Sequence, residues 1–179
     1  FISTEVDALL IDLWRRAGGA ALEQVDIVAV GGYGRAELSP YSDWDLLFLA
    51  PDPDDEQVKA AVQRFLYALW DCGVQIGHAL RTPVSTQDHA RNDHHARTAL
   101  LESRLLAGPG RLYAEVEKRC GQRHWSKRQR VDFCARKLQE FAERRRTTGD
   151  TAFLMEPDIK NGKGGLRDAS TIFWLSMAW

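Results

Sequence analysis

Two carboxylates and a pair of glycines mark where this chain could do chemistry. Asp43 and Asp45 stand two residues apart at the start of an apolar run. On a strand both would project from one face, while Trp44, Leu46 and Phe48 project from the other. Like charges this close repel unless a cation lies between them. A hard divalent ion, bound by one or two carboxylates plus substrate phosphates, meets that need. Gly31-Gly32 closes the preceding apolar run. Glycines there allow either a tight positive-φ turn or a close approach of backbone N–H groups to a phosphate. Residues 28–50 therefore read as a phosphate cradle facing a metal site.

The elements that must position these groups follow from the pattern around them. Residues 25–30 read as a buried strand and residues 43–50 as a second, with Pro40 and Ser42 marking a turn between. The connection is too short for a parallel crossover with its own full helix, which predicts antiparallel or tightly mixed pairing and one helical turn over residues 35–38. A Rossmann reading of Gly32-Tyr33-Gly34 needs a third glycine where Glu37 stands, and a P-loop needs a Gly-Lys-Ser/Thr that does not follow. Ahead of the strands, Thr4 is the expected N-cap of a packing helix carrying Val6, Leu9, Leu10, Leu13 and Trp14 and ending at Gly18-Gly19. Behind them, Val58, Ala61, Val62, Phe65, Leu66, Leu69 and Trp70 form a helical stripe that Gly73 stops. Residues 74–80 are a candidate third strand, and Ser85 with Asp88 suggests the cap of a further helix. Leu100, Leu101, Leu105 and Leu106 make an apolar stretch ended by Gly108-Pro109-Gly110.

The ordered combination of strand, glycine pair, short polar connection and Asp-x-Asp strand resembles the DNA polymerase β-type nucleotidyltransferase superfamily. Gly31-Gly32-Tyr33-Gly34-Arg35-Ala36-Glu37-Leu38 and Pro40-Tyr41-Ser42-Asp43 narrow it. They are similar to the nucleotidyltransferase domain of the bacterial PII uridylyltransferase/uridylyl-removing enzymes, the glnD family. The stretches 77–82 and 100–108, and Glu156-Pro157-Asp158-Ile159-Lys160 with Gly164-Gly165-Leu166-Arg167-Asp168, extend the likeness to the end of the chain. The resemblance implies an enzyme that transfers UMP from UTP, or a nucleotide from ATP as in some relatives, to a tyrosine hydroxyl of a PII protein. It implies Asp43 and Asp45 as catalytic ligands of Mg²⁺ or Mn²⁺, with Gly31, Gly32, Arg35 and Ser42 binding the nucleotide. A metal-dependent HD hydrolase domain and ACT sensor domains, present in the complete enzymes, are expected outside this chain. Other acceptors, and a degenerate nucleotide-binding regulator, are the alternative readings.

Several residues carry two readings each. Ala36 stands where the family pattern has glycine, which matters if that position needs positive φ. Many superfamily members place a third carboxylate on the strand after Asp-x-Asp, where this chain has Gln75, Gly77 and His78. Glu102 is the nearest later acid, with a helix-surface or ion-pair role favoured. Arg35 could meet phosphate or pair with Glu37, and Ser42 could bond a phosphate or support its turn. His89, His94 and His95 lack a full zinc ligand set and read as solvated. The basic run 123–146 reads as a solvated helix face, with a protein-substrate contact as the sharper alternative. Lys160, Lys163 and Arg167 could close on phosphates or dock the helical extension.

Composition bounds the rest. The 179 residues carry a net charge of -1, with 44% hydrophobic and 27% charged residues. That fits a globular domain and predicts no nucleic-acid partner. Apolar runs are too short to span a membrane. Cys72, Cys120 and Cys134, an odd number with no paired spacing, predict reduced thiols and a cytoplasmic location. The expected fold is α/β (α+β), a polymerase β-like core with a small mixed sheet over residues 1–108, then a helical extension over 109–179. In that extension Val131, Cys134, Ala135, Leu138, Phe141 and Ala142 share a helical face, and the closing amphipathic pattern suggests a piece of a longer polypeptide.

Overall fold

The computed structural model describes residues 2–18, 22–148, 156 and 158–179. It divides into two compact units, residues 1–121 and 122–179. The first holds a mixed four-stranded sheet in the order β3-β2-β1-β4, with β1 at Asp26–Ala29, β2 at Trp44–Leu49, β3 at Ile76–Arg81 and β4 at Arg104–Ala107. The β1 strand pairs antiparallel with β2 and with β4, whereas β2 and β3 run parallel. The short connection between the first two strands thus gives the antiparallel pair that its length requires. All of β1 is buried because it is central and covered on both faces, which explains its unbroken apolar reading.

One face of the sheet packs on α1 (Ile2–Arg16) and α3 (Glu56–Asp71). Trp14, Phe48 and Phe65 meet there with ring centroids 5.6–5.9 Å apart, and Trp44, Leu46 and Phe48 all point to this side. The helix α1 starts at Ile2, ahead of the expected cap Thr4, and Leu9 is exposed. Its expected stop at Gly18-Gly19 lies partly outside the described residues; Gly18 itself takes φ +98°. In α3 the predicted stripe is buried except Trp70, which leans on Tyr67 and His78 at the surface. Asp55 caps this helix, accepting from the N–H groups of Gln57 and Val58.

The opposite face packs Val28, Leu47 and Leu49 against Val116 of α6 (Arg111–Cys120). That helix is tied down by Asp26, whose buried carboxylate accepts from the N–H groups of Gly110 (2.7 Å) and Tyr113 (2.9 Å). For this reason the division between units falls after Gly121, thirteen residues beyond the expected boundary at Gly108. Between β3 and α6 lie α4 (Pro83–Asn92) and α5 (His94–Leu101). The cap of α4 is Thr82 in a reciprocal capping box with Ser85, ahead of Pro83 at the first helical position, and not the expected Ser85 with Asp88. The apolar stretch through Leu106 divides into the end of α5 and the strand β4, which the sequence pattern did not separate.

In the second unit a short 3-10 turn, Gln122–His124, precedes α7 (Lys127–Thr148) and α8 (Leu166–Ala178). The α7 face that is buried carries Phe133 and Lys137, whereas the expected stripe leaves Val131 and Leu138 exposed. Lys137 tolerates burial because its ammonium donates to Glu140 (2.8 Å) and sits 4.6 Å over the Trp174 ring. The basic run is partly internal too. Arg130 donates to the Ala178 carbonyl (2.7 Å), and Arg144 and Arg145 both reach Asp168. Burial opposes the charge on Asp168, yet these guanidiniums and the Gly164 N–H hold its carboxyl below the usual range. Residues 149–155 and Pro157, part of the motif read before α8, lie outside the described residues. Among the described residues no helix is long and apolar enough to cross a membrane. The three cysteines form no disulfide.

Backbone strain gives a stability test. Ala36 takes φ +60°, a left-handed conformation that costs an alanine about 1–2 kcal/mol. Gly34 is the reverse case, because a β-carbon there would collide with the Glu102 carbonyl. In urea unfolding, Ala36→Gly should gain about 0.5–1 kcal/mol after the entropy of the added glycine is subtracted. Gly34→Ala should lose about 3 kcal/mol.

Candidate active site

The glycine pair does not lead into a helical turn at residues 35–38; it is the helical turn. The helix α2 spans Gly31–Gly34, with Val30 extended at its N-cap, and Arg35 to Glu37 close it through backbone bonds to Gly31, Tyr33 and Gly32. Gly31 takes φ +60°. The Val30 N–H donates to the Asp45 carbonyl (3.1 Å), which holds the turn beside the second strand. Tyr33 is buried beneath it, its hydroxyl donating to Asp7 (2.6 Å) of α1. Arg104 of β4 grips the same carboxylate with two bonds of 2.8 Å. Burial, then the bond to Asp7 and its charge, push the Tyr33 phenol far above its ordinary value, so it serves as a fixed donor. The first helix, read from sequence as packing alone, thus anchors the turn.

Asp45 lies within β2, while Asp43 sits just ahead of it. A β-carbon at Gly31 would stand 3.4 Å from Asp45 Oδ2, and one at Gly77, the residue paired with Asp45 on β3, would collide with Oδ1. The carboxylate therefore occupies a slot between two glycines on neighbouring elements. Burial pushes the Asp45 carboxyl above its ordinary value, and the nearby Asp43 charge adds to this. Two coupled, all-oxygen donors suit a hard divalent cation whose other ligands are phosphate and water. Among the described residues no group of three His, Cys, Asp or Glu could hold a metal. The position facing Asp45 on β3 has no room for a further acid.

The remaining sequence candidates divide. Arg35 donates from Nε to Glu37 (2.7 Å) and pairs through Nη1 with Glu102, the ion-pair reading of both residues. Burial works against its charge, but Glu37 and Glu102 outweigh it and hold the guanidinium more firmly protonated. Its Nη2 lies 3.8 Å from where a Gly32 β-carbon would be. The Ser42 hydroxyl donates to the Ser39 carbonyl (2.8 Å) and so braces the turn before Asp43. His89 lies 3.7 Å from Asp93. Sequence reasoning gives Gly77 as a strand residue in a family-like stretch and Glu102 as an acid with a helix-surface or ion-pair role, without naming a partner for either. Their roles arise from pairings between distant segments, which local spacing does not display. A cavity of about 960 Å³, lined by Glu23, Gln24, Pro51, Gly108, Pro109, Arg111 and Leu112, opens at the other end of β1 and β2 and contains neither carboxylate.

The first unit is thus a mixed α/β fold in which a glycine turn lies against the Asp45 carboxylate. Comparison with known proteins narrows the class. A family model described as GlnD PII-uridylyltransferase matches residues 132–179. Curated relatives named bifunctional uridylyltransferase/uridylyl-removing enzyme align along most of the chain. The protein from Azospirillum brasilense is 44% identical over 86% of it, that from Phenylobacterium zucineum 38% over 98%, and that from Rhodopseudomonas palustris 43% over 86%. The chain spans 16–19% of the length of these relatives. A solved toxin–antitoxin structure with AMP-PNP aligns with 79% of this chain and 94% of its own, at 15% identity and a TM-score of 0.40, too distant to bear on the site. The chain is homologous to a part of the GlnD PII-uridylyltransferase enzymes.

The raised Asp45 value fixes a pH dependence. The folded protein holds this proton more tightly than the unfolded chain, so stability falls as pH rises from the ordinary carboxylate value, about 3.9, through the raised one. The deficit is complete at neutral pH. Without divalent ions, Asp45→Asn should be more stable than wild type at pH 7. The difference should close near pH 4, as followed by urea unfolding at both pH values in EDTA.

Proposed function

We propose that this chain carries the nucleotidyl-transfer site of a PII uridylyltransferase, moving UMP from UTP to a tyrosine hydroxyl. The observation that carries the reading is the Asp45 carboxylate seated between Gly31 and Gly77 and coupled to Asp43. The bifunctional relatives, which share the aligned length, support uridylyl transfer as the chemistry. In the reaction, a bond forms between the tyrosine oxygen and the α-phosphorus. The bridge to the β-phosphate breaks, pyrophosphate leaves and the hydroxyl proton is lost to solvent or base. Asp43 and Asp45 would hold Mg²⁺ or Mn²⁺, which when bound neutralises charge at the transferring phosphoryl group and acidifies the attacking hydroxyl. Gly31, lacking a side chain and turned to positive φ, lets the backbone approach the triphosphate. Arg35, anchored beside Gly32, offers a planar cation on the same side. Ser42 holds the turn that delivers Asp43. A PII protein as acceptor and a cytoplasmic setting go with this reading, without nucleic acid or membrane.

With no group of three metal-ligating side chains among the described residues, a nucleotide-binding regulator without transfer is the competing reading. Parallel labelling with α-labelled UTP and ATP, with and without a PII protein, separates them. Label should pass from UTP to the PII protein, with release of pyrophosphate. The Asp43→Asn, Asp45→Asn double variant should lose at least a hundredfold in rate while keeping its circular dichroism. Full transfer by that variant would sink the mechanism, label from ATP alone would reassign the donor, and binding without transfer to any acceptor would favour the regulator.

A further inference from the structure

Arg35 is held by two carboxylates that differ in one respect. The Glu102 side chain is 2% exposed, whereas that of Glu37 is 65% exposed. Glu102 is fixed from its backbone as well. It ends α5, its N–H bonds the Ala99 carbonyl, and its own carbonyl fills the space that a side chain at Gly34 would need. Buried and fixed at its backbone, it has no path by which to swing away from Arg35 into water. Glu37 can turn into solvent, where water hydrates it at little cost. The two grips also fall on different edges of the guanidinium. Glu37 takes Nε, Glu102 takes Nη1, and Nη2 lies beside Gly32, one residue from the glycine that flanks the Asp45 carboxylate.

We propose that Glu102 is a positioning residue: it holds Arg35 against the glycine turn while Glu37 gives way to a triphosphate oxygen of the incoming nucleotide. Glu37 then stands where the phosphate would bind, and Glu102 acts through Arg35 with no contact to metal or substrate. The guanidinium fork favours this exchange, because it can keep one oxyanion on Nη1 while trading another on its remaining N–H groups. The inference rests on the nucleotidyl-transfer reading above.

The two carboxylates give the test opposite signs. Charge alone predicts that neutralising either one tightens binding of an anionic nucleotide. Calorimetry of UTP binding in Mg²⁺ without acceptor should instead show Glu37→Gln binding about threefold tighter than wild type and Glu102→Gln about tenfold weaker. Mn²⁺ affinity should be unchanged in both. Glu102→Gln that binds UTP as well as wild type overturns the proposal, even if its melting temperature falls, since the role is then structural. Lost Mn²⁺ affinity in Glu102→Gln also overturns it, by making Glu102 a metal ligand. If that variant does not fold, Glu102→Asp keeps the charge but draws it back from Nη1. It should weaken UTP binding likewise, and wild-type affinity would count against the proposal. A wild-type protein that binds neither UTP nor ATP overturns the nucleotidyl-transfer reading and this inference with it, a result distinct from any confined to Glu102.

Discussion

The structure turns on where one carboxylate is allowed to sit. Asp45 projects from the second strand into a slot that exists because Gly31 and Gly77, on either side of it, have no side chains. The antiparallel register with β1 brings the glycine turn to Asp45, and the parallel register with β3 brings Gly77. A one-residue slip of β2 against β1 would turn the carboxylate toward Trp14 and Phe65 and put a leucine in its place. The aromatic core therefore sets the register, and the register sets the site.

Charge organises the layer around that slot. Asp7 receives Tyr33 and Arg104, Asp26 receives the start of α6, and Glu102 receives Arg35. Each acid satisfies groups from elements distant in sequence, and each is partly or wholly withdrawn from water. Asp45 differs in having a like charge as neighbour and glycines as walls. The carboxylates that build the frame are compensated within the chain, and the pair left electrostatically unfavourable is the one proposed for chemistry.

Much of this was legible in sequence because it was local. The apolar runs of β1 and β2, their pairing without a full parallel crossover and the stripe of α3 all follow from period and spacing within a few residues. What escaped was non-local or compensated. The β4 strand hid behind a leucine-rich run that suits a helix end as well. The capping box of Thr82 was masked by an acid one turn further on. Lys137 looked like surface because a lysine is expected there, and the Glu140 carboxylate with the rings of Phe133 and Trp174 makes its burial tolerable. Ala36 was noticed as a departure from glycine, but whether it mattered depended on a φ value that no spacing reports. Gly77 and Glu102 acquire their roles from partners on other elements, Asp45 and Arg35.

The sheet order has a consequence for how the chain acquires its native form. The central strand β1 pairs on one side with β2, close in sequence, and on the other with β4, whose partners lie at residues 104–107. The first pairing closes a short loop and can form early; the second must wait until α3, β3, α4 and α5 have been laid down. Arg104, which clamps Asp7 beneath Tyr33, arrives with that last strand. On a ribosome, the glycine turn would emerge and pair with its carboxylate strand well before the residue that locks it in place has been synthesised. The segment proposed to meet a nucleotide is made before the residue that locks it and becomes rigid only once that residue has arrived.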